Sequence, residues 1–265
     1  MFKYFKIFFL IFSAVPCFSQ DFTELAEDIT SSTILVVDGK DRSFGSGFIC
    51  TQSDYIITNY HVIRNMRNIY IQLYNQDKKY LCNLVSYDRY YDIAILELSY
   101  KEISLLNNNI DLFSDLRLPV SLDKNSIGMS VFASGYPHGF YQFSIGNISG
   151  NVKNEDYELI QHTSAISPGN SGGPLLNSRG EVIGINTLIL RGAENMGYAI
   201  PIQYAINLLP KDTPLIYLDG VEDEYFRKKV EKVNQKKDAP TRNNLPKKRV
   251  VDPDKEFLKN LINDR

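Results

Sequence analysis

The sequence predicts an all-β protein: two six-stranded antiparallel β-barrels with short N- and C-terminal helices. Three observations carry this. Short runs rich in Ile, Val, Tyr and Phe recur between turn residues over 33–98, a second set of the same kind fills 130–200, and a polar stretch at 101–123 separates the two sets. Six strands suffice to close a barrel, and two barrels in tandem place any active site in the cleft between them.

The elements follow in chain order. Residues 1–19 read as a signal peptide: Lys3 and Lys6, an apolar run over 7–12, then Ser13, Ala14, Pro16 and Ser19. The run is too short to cross a bilayer core of roughly 30 Å. Cleavage is expected near Ser19 or Gln20, leaving an exported chain, periplasmic or secreted, without an integral membrane span. Cys17 follows Pro16, a poor fit to a lipid-attachment box.

Residues 20–220 form the domain, with barrels at about 30–100 and 124–205. Phe22, Leu25, Ala26 and Ile29 stand at helical spacing, predicting a helix over 21–30. First-barrel strands are read at 33–37, 45–50, 55–58, 69–74, 79–86 and 93–98. Those of the second barrel are read at 130–133, 140–148, 157–161, 173–176, 182–190 and 197–200. Ile202, Ala205, Ile206 and Leu209 return to helical period, and 221–265 is a charged tail of alternating basic and acidic residues.

Composition bounds the function. Hydrophobic residues at 43% and charged residues at 23% suit a soluble globular domain. A net charge of -2 provides no basic stripe for a nucleic-acid partner. Cys50 and Cys82 lie in apolar runs that fit a disulfide or two separate buried thiols. No ligand spacing for a metal is present, and no cofactor is expected.

The chemistry concentrates in three places. Ser167-Pro168-Gly169-Asn170-Ser171-Gly172-Gly173-Pro174 sets a hydroxyl inside a glycine-dense turn between two apolar runs. Such a turn can converge backbone N–H groups on one point, here an oxyanion hole over Gly169, Asn170 and Ser171 with the N–H groups of Gly169 and Ser171 as donors. A tight hairpin turn with an incidental serine reads the same segment equally well. His61 stands just past an apolar strand in Ile57-Thr58-Asn59-Tyr60-His61-Val62, while His138 and His162 read as structural or rim residues. Asp92 opens the buried run Ile93-Ala94-Ile95-Leu96, where a carboxylate can be desolvated and still accept an imidazole N–H. In this order, His61, Asp92 and Ser171 make a base, an orienting acid and a nucleophile across a two-barrel cleft.

The segments GSGFI, ITNYHVI, DIAILEL, ISPGNSGGPLLN, GEVIGIN and GYAIP, in that order over roughly residues 30–205, resemble the protease domain of the HtrA (Deg) family of trypsin-like serine proteases. The resemblance implies a chymotrypsin-type double barrel, cofactor-free endopeptidase activity on unfolded or damaged extracytoplasmic polypeptides, and the triad just named. It also implies a homotrimer assembled through the N-terminal segment. Tyr60 before the histidine departs from the family pattern. The roughly 60 residues after Pro201 are too few and too charged for a PDZ domain beside the closing helix.

By the same resemblance, Ala165 is the base of the primary specificity pocket, beside Ile166, Ile185 and Asn186. A pocket without an acid cannot favour Lys or Arg, so cleavage after small or medium aliphatic residues is expected. Asn170 stands where digestive zymogens bury a new N-terminal ammonium against an aspartate, so that activation route is not expected. Two rivals keep the fold: a catalytically idle binding or chaperone-like module, and a narrow protease directed by its charged tail.

Overall fold

The computed structural model describes residues 22–40, 44–105, 113, 115–153, 158–189 and 196–217; the expected signal peptide and the charged tail lie outside them. The helix α1 (Thr23–Ser32) runs into β1 (Thr33–Asp38), β2 (Phe44–Ile49) and β3 (Ile56–Thr58). A short helix α2 (Tyr60–Ile63) precedes β4 (Ile69–Gln72), β5 (Lys79–Asp88) and β6 (Ile93–Leu98). After α3 (Tyr100–Leu105) come β7 (Ser130–Gly135), β8 (Gln142–Lys153), β9 (Glu158–His162), β10 (Pro174–Asn177), β11 (Val182–Ile189), β12 (Gly197–Pro201) and α4 (Ile202–Ile206).

The twelve strands close into two six-stranded barrels, ordered β1-β2-β3-β6-β5-β4 and β10-β11-β12-β9-β8-β7, with antiparallel pairing throughout. Period-two alternation sorts the side chains of each wall. On β6, Ala94 and Leu96 fill the first barrel with Ile34, Val36 and Ile71, whereas Ile93 and Ile95 face outward. On β9 and β12, Ile160 and Ala199 fill the second barrel, while Leu159, Tyr198 and Ile200 point out of it. The outward set meets Phe48, Ile57, Phe132 and Ile185 in a third cluster drawn from both barrels. That shared core fixes the barrels against each other, each fully buried side chain of this size contributing about 1.5–3 kcal/mol.

Two sequence readings change, and one left open is decided. Residues 117–122, expected within a polar linker, run against both barrels: Leu118 and Val120 are buried, Arg117 bridges to Ile49, and Val120 bridges to Val182. The strand expected at 140–148 is Gln142–Lys153, with Phe140 left exposed outside it. Cys50 and Cys82 are free buried thiols, each in a different core cluster. No helix among the described residues is long and apolar enough to cross a membrane.

Candidate active site

His61 and Asp92 are joined at two points. The His61 backbone N–H donates to Asp92 Oδ1 at 2.8 Å, and His61 Nδ1 lies 2.6 Å from Oδ2. Asp92 sits in the left-handed region at φ 54, a conformation that aspartate tolerates better than most residues. Its carbonyl is held by the Tyr60 N–H at 3.2 Å and by Asn59 Nδ2 at 2.8 Å. The approach to α2 and the start of β6 are thereby tied together, and the carboxylate faces the ring. An ionised carboxylate only accepts, so Nδ1 carries the ring proton and Nε2 is left as the basic nitrogen. The pair is partly buried, with side-chain exposures of 27% and 20%.

A third donor, Thr187 Oγ1, reaches Asp92 Oδ2 at 3.2 Å from the second barrel. Thr187 lies where the β11–β12 register shifts between Asn186 and Leu188. A bulge turns an extra residue out of the ladder, and Thr187 uses both of its freed groups: its carbonyl accepts from Ser171 Oγ at 3.1 Å. One residue thus touches Asp92 with its side chain and Ser171 with its backbone.

The serine loop begins with a type II turn. Pro168 occupies its second position, Gly169 its third at φ 110, and the Asn170 N–H closes it on the Ser167 carbonyl at 2.9 Å. Only glycine fits there, because a Cβ would stand 2.3 Å from the Tyr136 carbonyl oxygen. The Pro168 carbonyl accepts from the His138 N–H at 3.2 Å. In a trans peptide the two polar groups point oppositely, so Gly169 directs its N–H away from His138. Among the described residues, no group accepts from the N–H of Gly169 or of Ser171. Asn170 lies between these two expected donors, and its own N–H is committed to the turn.

The first barrel clamps this loop through Ser46. Its N–H donates to the Ser171 carbonyl at 2.8 Å, and its Oγ donates to the Gly169 carbonyl at 2.7 Å while accepting from the Tyr136 N–H at 2.9 Å. Sequence reasoning assigned no role to Ser46 or Thr187. Ser46 stood in view inside GSGFI, but Thr187 is reached only through the β11–β12 register.

The expected pocket residues separate. Ala165 is exposed, its carbonyl held by Ser144 Oγ at 2.7 Å, and Ile166 is half-buried against the core of the second barrel. Ile185 is a correction: it is fully buried in the cluster shared by the barrels, facing away from any pocket on the other side of β11. Asn186 is fully buried, with Nδ2 donating to the Pro174 carbonyl at 2.9 Å. His138 lies on a 3₁₀ turn, Pro137–Gly139. His162 is fully buried, and burial lowers its pKa to about 4.

Comparison with known proteins agrees with this architecture. The trypsin-like peptidase domain family matches residues 45–185. A probable periplasmic serine endoprotease, DegP-like, of Hahella chejuensis is 36% identical over 182 residues, 65% of this chain and 36% of that protein. Protease Do-like 1, chloroplastic, of Arabidopsis thaliana is 34% identical over 192 residues, 68% of this chain and 41% of that one. The crystal structure of the serine endoprotease from Yersinia pestis superposes with a TM-score of 0.60 at 28% identity, covering 71% of this chain and 65% of that one. The chain spans about a third of the length of the curated bacterial relatives it matches (32% and 36% for two of them).

Proposed function

Since the chain belongs to the trypsin-like peptidase domain family, we propose that it is a serine endopeptidase acting outside the cytoplasm on unfolded or damaged polypeptides. The observation that carries this reading is the doubly bonded His61–Asp92 pair, linked to Ser171 by one residue, Thr187. Rotation about the Ser171 Cα–Cβ bond turns its hydroxyl from the Thr187 carbonyl toward the imidazole. Nε2 takes the proton as Oγ attacks the scissile carbonyl, and Asp92 holds the ring and stabilises the imidazolium that forms. The N–H groups of Gly169 and Ser171 receive the developing oxyanion, each worth about 3 kcal/mol in comparable sites. His61 then returns the proton to the leaving amine, and water releases the acyl group by the same route in reverse.

Export follows from the reading of residues 1–19 as a signal peptide, and the bacterial relatives are named as probable periplasmic proteins. For the primary pocket, Ala165 and Ile166 supply neutral walls without an acid, which favours small or medium aliphatic side chains over Lys and Arg. The test is covalent labelling by a fluorophosphonate, in wild type and Ser171→Ala, followed by mapping of cut sites in unfolded casein. Labelling that survives in Ser171→Ala, or that never occurs in wild type with substrate present, refutes the assignment; cuts after Lys or Arg refute the pocket.

A further inference from the structure

Tyr136 is buried where β7 gives way to the 3₁₀ turn, and the reaction just described makes no use of it. Its side chain and its main chain reach different partners. The phenol crosses to the first barrel and donates to the Thr33 carbonyl at 3.1 Å. Thr33 is a fixed point, fully buried at the junction of α1 and β1. Its N–H closes the helix on the Thr30 carbonyl, and its Oγ1 donates to the Ile29 carbonyl at 2.7 Å and meets Ser134 Oγ at the same distance. Burial raises the Tyr136 pKa above its ordinary value, so the phenol remains a donor throughout neutral pH.

The main chain of Tyr136 lies against the serine loop. Its carbonyl oxygen stands where a Cβ on Gly169 would come within 2.3 Å, so the two backbones are in direct contact. Its N–H donates to Ser46 Oγ at 2.9 Å; that bond takes a lone pair of the hydroxyl and leaves its one proton for the Gly169 carbonyl, at 2.7 Å. Two residues on, the His138 N–H holds the Pro168 carbonyl at 3.2 Å. Both peptide planes that meet at the Gly169 Cα are therefore held through their carbonyls from the Tyr136 segment, and the first of them carries the N–H that the proposed reaction offers to the oxyanion. A plane that rotates takes its donor out of line, and hydrogen bonds weaken steeply with misalignment. We infer that Tyr136 is a positioning residue for the oxyanion hole: its phenol, anchored on Thr33, sets the main chain on which the Gly169 turn rests, without touching substrate. A phenol that served only the core would lower stability and leave the kinetic constants of the folded protein as they are.

This inference rests on the endopeptidase reading, and its test keeps the two apart. Wild type, Tyr136→Phe, Ser46→Ala and the double variant, all as full chains, are assayed on a quenched-fluorescent peptide built on a cut site mapped in unfolded casein. Circular dichroism follows folding, and exhaustive fluorophosphonate labelling counts the active serines. Tyr136→Phe should lower kcat per active serine about tenfold, less than the loss of an oxyanion donor itself, with KM within about twofold of wild type. The acidic limb of the kcat/KM profile, set by His61, should not move. A peptidyl trifluoromethyl ketone of the same sequence, whose serine adduct carries an oxyanion, should bind more weakly by about the factor lost in kcat/KM. Because the phenol and Ser46 act on one turn, the double variant should lose less than the product of the two single losses. An unchanged kcat per active serine, a loss confined to KM, a shifted acidic limb, or losses that multiply overturns the assignment and leaves the endopeptidase intact. If Tyr136→Phe does not fold, Ser46→Ala, which cuts the link from the Tyr136 N–H to the Gly169 carbonyl, decides by the same kinetic readouts. Wild type that neither cleaves nor labels overturns the endopeptidase reading and the positioning role with it.

Discussion

Replacing His162 by leucine removes from the second barrel a buried ring without a hydrogen-bond partner among the described residues, and its effect on stability follows from one proton. Desolvation of the imidazolium lowers the His162 pKa from 6.5 to about 4. Above pH 6.5 the ring is neutral in the folded and unfolded chain alike, and the native state keeps its full stability. Between 6.5 and about 4 only the unfolded chain takes up the proton, so stability falls with pH; below about 4 both states carry it and the loss is complete. A separation of about 2.5 units at about 1.4 kcal/mol each costs about 3 kcal/mol. Urea unfolding, followed by far-UV circular dichroism because the chain contains no tryptophan, measures it from pH 7.5 to 4. Carboxylates titrate in both proteins and cancel in the difference. Wild type should lose about 3 kcal/mol more than His162→Leu over this range, roughly 1–1.5 M in midpoint for a typical m-value of about 2–3 kcal/mol per molar. Parallel pH profiles would refute the reasoning, because they require a ring that is hydrated or paired in the folded state.

Four further outcomes follow. Asp92→Asn cannot accept all three hydrogens now directed at the carboxylate and favours the wrong imidazole tautomer; kcat on a peptide substrate should fall about ten-thousandfold with the fold intact by circular dichroism. Gly169→Ala, strained at φ 110 and crowded by Tyr136, should lower kcat about a hundredfold or more with a smaller change in KM, and steady-state kinetics within tenfold of wild type would contradict the turn assignment. Ser46→Ala strips a donor from the Gly169 carbonyl and an acceptor from the Tyr136 N–H, both buried, at a cost of about 1–3 kcal/mol in urea unfolding. Burial pushes the Cys50 thiol up to about 12 and that of Cys82 up as well, so neither should react with Ellman's reagent at pH 8 until urea is added; prompt reaction of the folded protein would show that one is accessible.

The two-barrel fold was legible because short apolar runs recur between turn residues, one for each strand. Ile93, Ala94, Ile95 and Leu96 form an unbroken apolar run because both faces of β6 are covered, one by the barrel interior and one by the neighbouring barrel. The 117–122 segment carried no such signal. Its apolar residues Leu118, Val120 and Leu122 are separated by Pro119 and Ser121 and form no continuous run, and what orders it is pairing with Ile49 and Val182, far away in sequence. The pocket reading took Ile185 and Asn186 together, although adjacent strand residues face opposite sides and only one of the two can look into the barrel. The type of turn at Pro168-Gly169 is written in those two residues, and it also decides that Asn170 spends its N–H inside the turn. Thr187 left no local trace, because a bulge is a property of two paired strands and not of either sequence alone.

The glycine density of the serine loop invites a reading as flexibility, and the geometry argues the reverse. At Gly172 a Cβ would stand 2.2 Å from the Ser46 carbonyl oxygen and 2.4 Å from Thr58 Oγ1, so the missing side chain lets the loop press against the first barrel. The backbone is then fixed from three directions: by Ser46 on the Ser171 carbonyl, by Asn186 on the Gly172 N–H, and by the Asn170 carbonyl on the Gly173 N–H. Held this way, Ser171 has little freedom outside its own Cα–Cβ torsion. In the proposed reaction the hydroxyl would exchange the Thr187 carbonyl for the imidazole without moving the N–H groups beside it. Preorganised donors of this kind act on a developing charge without reorganising, which ties the rate of a hydrolase built on Ser171 to two anchors contributed by different barrels, Ser46 and Thr187.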